Sequence, residues 1–190
     1  MTEAGVQDKK IIGVIPARYQ SSRLPGKPLK DIHGKPMIYW VAKRVEDSDL
    51  EEYYVATDDD RIFDACQEYL IPCIMTSKKC LNGTERVAEV ATKVKADYYV
   101  NIQGDEPCID ISAINIFVAS LRKFSQVNFI QAVSKITDSE SVLDDSIVKV
   151  AITEDNEVLY YSRSPIPYSR GASKNEVTYY RCLGLYLYSS

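Results

Sequence analysis

Short apolar runs alternate with helix-period segments over residues 11–123, and few folds accept that order. Ile11-Ile12-Gly13-Val14-Ile15 is an unbroken apolar run, as expected of a strand covered on both faces in a parallel sheet. Residues 37–45 predict a helix with Pro36 at its start. Residues 53–57 predict a second strand. Thr57 and Asp58 then offer caps for a helix reaching about Leu70, with Asp58-Asp59-Asp60 supplying first-turn acids. Residues 72–75 predict a short third strand. Thr84 starts a helix in which Val87, Val90, Ala91 and Val94 share one stripe. Residues 98–102 predict a fourth strand and 111–123 another helix. Residues 128–135, 146–153, 158–161 and 183–188 then predict strands without long helices between them, and 169–176 a polar loop around Gly171. This is the order of a doubly wound α/β sheet with a strand-rich second half.

The first strand runs into a loop carrying Arg18, Arg23 and Lys27 among small and cyclic residues. Open α/β sheets bind ligands at the carboxyl ends of their strands. Fixed positive charges and unpaired backbone N–H groups suit a polyphosphate. The phosphate loop of the NTPases needs Ser or Thr after its Gly-Lys; here Pro28 follows Lys27, and no G-x-G-x-x-G occurs. The loop is therefore a nucleotide loop of another kind or a solvated basic turn. The strand feeding it favours an anion site.

Gln103-Gly104-Asp105-Glu106-Pro107 follows the fourth strand directly, which puts Asp105 on the same sheet edge. Mg²⁺ takes oxygen ligands from one or two carboxylates and from substrate phosphates. Asp105 suits that role, with Glu106 either sharing it or exposed. Alone, the motif reads as an acidic turn capping the next segment; beside a cationic loop, the metal reading is preferred. In Asn82-Gly83-Thr84-Glu85-Arg86, either Asn82 or Thr84 caps a helix and Arg86 is a surface residue, or this terminus and Arg86 hold a base or ribose. Arg163 and Arg181 could pair with a sugar carboxylate. Surface arginines beside an edge strand are the stronger reading of those two from the residues alone.

The remaining composition narrows the classes. A chain of 190 residues suits one domain. A net charge of −4 argues against broad nucleic-acid binding. The cysteines, Cys66, Cys73, Cys80, Cys108 and Cys182, form no C-x-x-C pair and read as reduced thiols. His33, the sole histidine, falls in a predicted turn, so a cluster of imidazoles is impossible and a Ser-His-Asp triad is not expected. Residues 1–10 are polar, unlike a signal peptide, and no run nears membrane-spanning length. A cytoplasmic protein with no membrane partner is expected.

The first loop (Pro16-Ala17-Arg18 through Arg23-Leu24-Pro25-Gly26-Lys27-Pro28-Leu29), the segment Asn82–Glu89 and the segment 100–107 resemble the CMP-Kdo synthetases, the 3-deoxy-manno-octulosonate cytidylyltransferases. Matching residues run from Ile11 to Tyr188. The resemblance implies a Rossmann-like, three-layer nucleotide-diphospho-sugar transferase fold with a mostly parallel mixed sheet. It implies one nucleotidyltransferase domain over 1–190, strand-rich from about residue 127 and shortened at its C-terminus relative to the family. It implies transfer of CMP from CTP to Kdo or a related 2-keto-3-deoxy sugar acid, releasing pyrophosphate, with Mg²⁺, in a homodimer, for lipopolysaccharide or capsule synthesis. On this resemblance Arg18 and Lys27 contact the triphosphate, and the backbone around Ala17 and Ser21 holds the nucleotide. Gly83, Thr84 and Arg86 lie by the cytosine, Gln103 bridges nucleotide and sugar, Arg163 and Tyr186 line the sugar pocket, and Asp105 holds the metal. Arg18, Lys27 and Asp105 form the catalytic set. Three departures stand out: Cys182 replaces a usual histidine, Asn82 a common serine, and the family's later Val-Asp-Thr-Pro-type motif with a second metal carboxylate falls beyond Ser190. A non-catalytic nucleotide-binding module and a nucleotidyltransferase for another sugar are the alternatives.

Overall fold

The computed structural model describes residues 9–20, 24–121, 128–168, 170 and 177–190. In chain order the elements are β1 (Ile11–Ala17), a single 3₁₀ turn (Lys27–Leu29), β2 (Asp31–Ile32), β3 (Lys35–Pro36), α1 (Met37–Glu46), β4 (Glu52–Thr57), α2 (Asp60–Glu68), β5 (Cys73–Met75), α3 (Gly83–Lys93), β6 (Tyr98–Ile102), α4 (Ile111–Ser120), β7 (Phe129–Ile136), α5 (Ser139–Leu143), β8 (Lys149–Ile152), β9 (Val158–Ser162) and β10 (Tyr179–Ser189). They divide into two compact units, Met1–Ile130 with Gly184–Ser190, and Gln131–Leu183.

In the first unit, β1 lies between β4 and β6 and pairs with both in parallel, while β5 extends the sheet beyond β4. The last residues of β10 run antiparallel to β6, from Leu185 opposite Ile102 to Ser189 opposite Tyr98. The sheet is therefore mixed, with a parallel heart. Burial explains the apolar runs: Ile12, Val14 and Ile15 are fully buried, and Val87 and Val90 of α3 pack with Ile12, Val14, Ala56 and Tyr99. Each such side chain contributes about 1.5–3 kcal/mol when removed from water. Ala91 and Val94 complete the stripe at the edge of that cluster.

The helix starts are set by side-chain caps. Asp59, rather than Thr57 or Asp58, caps α2 by accepting from the Arg61 N–H. Thr57 stays in the strand and is wholly buried, its carbonyl receiving both the N–H and the hydroxyl of Thr76. Of the two candidates for α3, Asn82 is the cap: its Oδ1 accepts from the Glu85 N–H at 2.9 Å, and Glu85 in return accepts from the Asn82 amide. His33 does occupy a turn, with φ of 51° between β2 and β3.

The second unit is built on strands, as expected of this stretch. Here β8 pairs antiparallel with β9 and with the first residues of β10, through Tyr180 opposite Val150 and Arg181 opposite Lys149. Lys149 is completely buried, and its ammonium donates to three backbone carbonyls, those of Asp144, Ile147 and Arg163. Of the predicted loop at 169–176, all but Arg170 lies outside the described residues.

Candidate active site

Because β1, β4, β5 and β6 are parallel, the segments leaving their carboxyl ends share one rim of the first unit. A cavity of about 650 Å³ opens there. Nine residues proposed from the sequence line it: Ala17, Arg18, Lys27, Gly83, Thr84, Arg86, Gln103, Asp105 and Tyr186. Ser21 and Arg23 lie outside the described residues. Arg163 belongs to the second unit, where its guanidinium donates to the carbonyls of Asp145 and Ser146. Arg181, also in that unit, donates from Nε to the Ser134 hydroxyl at 2.9 Å.

Two close approaches fix the rim. Gly26, at φ 68°, turns the loop in the left-handed region that favours glycine and delivers Lys27 as the first residue of the 3₁₀ turn. Gly104 lets the turn after β6 press on β1: a Cβ there would sit 2.6 Å from the Pro16 carbonyl oxygen. These two devices bring residues 78 positions apart into contact, with Lys27 Nζ 2.7 Å from Asp105 Oδ2. Both side chains are more than a third exposed, at 37% and 47%, so the pair adds little to stability and can open at small cost when a ligand competes for either charge.

The opposite wall comes from α3 and β10. The Thr84 hydroxyl lies 3.0 Å from the Tyr188 hydroxyl, and Tyr186 stacks on Phe129 with ring centroids 6.4 Å apart. Arg86 lines the cavity from below. It is 3% exposed and is no surface residue: its guanidinium donates to the Thr76 hydroxyl and pairs with Asp58 at 3.3 Å. Nearby, Glu89 accepts from Lys93, from the Ser77 N–H and from the Cys80 thiol, and these contacts, led by Lys93, hold its carboxyl down at about 2. Burial and the same Glu89 carboxylate push the Cys80 thiol up, so it stays protonated at neutral pH. In the second unit, burial pushes the Cys182 thiol to about 11, which leaves it neither charged nor nucleophilic at neutral pH.

Sequence reading missed several wall residues: Asn101, Cys80, Leu81, Leu24 and Met37. Asn101 carried a legible signal, since an amide inside an otherwise apolar strand, 6% exposed, requires a reason. It stands between Val14 on one side and Tyr186 on the other. The exposed Leu81 and Leu24 carried none.

Asp105 offers hard oxygen donors on the cavity wall, and Glu106 folds over Gly184 beside it. Among the described residues no group of three His, Cys, Asp or Glu side chains could hold a metal ion. That donor set fits Mg²⁺ bound through a single carboxylate with the remaining oxygens drawn from phosphates and water, and it does not fit a metal caged by protein alone. No helix among the described residues is long and apolar enough to cross a membrane.

A parallel-centred α/β sheet with a cationic loop, an aspartate and a helix start around one rim cavity defines the nucleotidyltransferase class. Solved structures at low identity share this fold, including a nucleotidyl transferase from Methanothermobacter thermautotroptrophicus (TM-score 0.52, 16% identity, 59% of this chain and 57% of that one). Within the class, the chain belongs to the cytidylyltransferase family, whose family model matches residues 12–189. It is 41% identical over 180 residues to the 3-deoxy-manno-octulosonate cytidylyltransferase of Fusobacterium nucleatum, covering 94% of this chain and 73% of that protein. The Escherichia coli enzyme of the same name is 43% identical over 180 residues, covering 94% and 72%. A solved CMP:2-keto-3-deoxy-manno-octonic acid synthetase complexed with CTP superposes with a TM-score of 0.88 at 41% identity, over 95% of this chain and 74% of that one.

Proposed function

We propose that this chain transfers CMP from CTP to 3-deoxy-manno-octulosonate, or a closely related 2-keto-3-deoxy sugar acid, releasing pyrophosphate. The sugar's anomeric hydroxyl attacks the α-phosphorus: its oxygen forms the new P–O bond, its proton passes to water, and pyrophosphate departs in line with the electron pair of the bond it leaves. The protein's work is positioning and charge neutralisation. Arg18 and Lys27 hold the triphosphate, with the backbone around Ala17 along the nucleotide. Gly83 and Thr84 present the α3 start to the base, above the wall that Arg86 builds. Gln103 lies between nucleotide and sugar. Tyr186 lines the sugar side, and Arg163 supplies a guanidinium for the sugar carboxylate. Asp105 would hold magnesium, which supplies positive charge at the phosphates. A homodimer in the cytoplasm, making an activated sugar for lipopolysaccharide or capsule, completes the proposal.

The observation that carries this reading is the 2.7 Å approach of Lys27 to Asp105 on the wall of a single cavity. A phosphate-binding cation and a metal-binding carboxylate would have to meet at one triphosphate, and the closeness of these two side chains supports that reading. The test is pyrophosphate release from CTP plus 3-deoxy-manno-octulosonate with Mg²⁺. Release that depends on both substrates is expected. Binding of CTP without release would favour a nucleotide-binding module. Release only with another nucleotide or sugar acid would redirect the substrate assignment, with Cys182 the residue to examine first.

A further inference from the structure

Tyr19 directly follows the first cation of the rim loop, yet neither it nor its partner Arg61 lines the cavity. The Arg61 guanidinium carbon lies 3.3 Å from the centroid of the Tyr19 ring. Arg61 is held flat for this contact by a two-pronged grip: Nε donates to Asp59 Oδ1 at 2.9 Å and Nη2 to Asp59 Oδ2 at 2.7 Å. Asp59 is in turn anchored as the cap of α2, where Oδ1 also accepts the Arg61 N–H at 3.1 Å. On the loop side, the Gly26 N–H donates to the Tyr19 carbonyl at 2.8 Å. A Cβ on Gly26 would fall 3.0 Å from Cε2 and Cζ of the same ring. Gly26 then starts the turn that carries Lys27. One continuous series of contacts thus links the α2 cap to the phosphate-facing lysine.

We propose that Arg61 and Tyr19 are positioning residues for the nucleotide, bracing the cationic loop against the start of α2 so that Lys27 is set before CTP arrives; this rests on the reading of the loop as the CTP site. A loop dense in positive charge repels itself and is costly to order on binding. Fixing it beforehand lowers the cost charged to the ligand. A cation over an aromatic face at an exposed site is worth a factor of a few in affinity.

The test uses the whole chain with Arg61→Met, Tyr19→Leu, Tyr19→Phe and the double variant Arg61→Met/Tyr19→Leu. Arg61→Met and Tyr19→Leu should each raise KM for CTP by about two- to fivefold. Turnover and KM for the sugar should stay within about twofold, because neither residue touches the reacting groups. Tyr19→Phe keeps the ring face and should behave as the parent. The double variant should be no worse than the weaker single one, since either change breaks the same contact. Equal losses in turnover and in both KM values, or single effects that multiply in the double variant, would overturn the proposal, as would an unchanged KM for CTP. If the parent releases no pyrophosphate from CTP, the functional reading fails, and the brace is judged on amide exchange over residues 24–29. Faster exchange in Arg61→Met upholds it and unchanged exchange refutes it.

Discussion

Replacing Gly104 by alanine tests whether the rim depends on the contact between two neighbouring strand ends. The new Cβ would lie 2.6 Å from the Pro16 carbonyl oxygen and 3.4 Å from Cγ2 of Ile15. Carbon–oxygen contacts settle at about 3.3–3.6 Å, so the backbone must part by roughly 0.7–1.0 Å. No side-chain rotation can relieve this, because the obstructing atom belongs to β1 and the turn leaves β6, and these strands are paired in register through Val14 and Asn101. Forcing extra volume into such a place costs about 1–3 kcal/mol. In a protein of this size each kcal/mol lowers the melting temperature by about 2–4 °C, so a fall of about 2–12 °C is expected. The same parting carries Asp105 away from Lys27. Displacements near 1 Å at a reacting centre cost up to about a hundredfold, so turnover should drop by roughly tenfold or more. Thermal melting and pyrophosphate release measured on one preparation check both consequences. A variant that melts within about 1 °C of the parent and keeps parental turnover would show that the strand ends are not in firm contact, and the account of the rim would fail.

Lys27→Ala should weaken CTP binding by about ten- to a hundredfold, the usual value of a charge-assisted contact, with little change in melting because its ion pair is exposed; calorimetry with unchanged affinity would reject its role. Asp105→Asn keeps the shape of the side chain but lacks the charge, and pyrophosphate release should fall to background while the fold persists; normal turnover would remove Asp105 from the reaction. Glu89 has a folded pKa near 2, below its ordinary 4.5, so its stabilising effect is complete above about pH 4.5 and is lost as pH falls from there towards 2. Glu89→Gln should accordingly flatten the dependence of stability on pH in that window alone, which denaturation at stepped pH would reveal. Lys149→Met strips three backbone carbonyls of their donor and should cost about 1–3 kcal/mol in urea unfolding; a cost under about 0.5 kcal/mol would mean that those carbonyls find other partners.

The parallel strands and their helices were legible in the sequence because they obey simple periods. The run Ile11–Ile15 has no alternation, since both its faces are covered, and the stripe from Val87 to Val94 has the helical spacing of a half-buried helix. Boundaries were less legible. Thr57 and Asp59 are both able to cap a helix, and only the buried hydrogen bonds of Thr57 to Thr76 decide that the strand claims it. The charged corners of the site were visible because Arg18, Lys27 and Asp105 follow strand ends. What escaped was everything set by contact between distant segments. Burial of Arg86 depends on Asp58 and Thr76 arriving from elsewhere in the chain, and the bracing of Tyr19 depends on a side chain from α2. Arg163 is a further case: nothing in the sequence pointed to the carbonyls of Asp145 and Ser146 that its guanidinium meets within its own unit.

The division of β10 between two units bears on how the chain is made. Tyr98–Ile102 acquires its second neighbour only from Leu185–Ser189, so the ribosome must complete the whole intervening unit before that neighbour emerges. Until then β6 offers a row of unsatisfied amides and carbonyls, a template for the wrong partner. Nascent chains arrested before Gly184 should therefore be aggregation-prone and should lack the aromatic wall that Tyr186 provides, whereas emergence of Leu185–Ser189 covers that side of β6 and adds Tyr186 to the cavity wall at the same step.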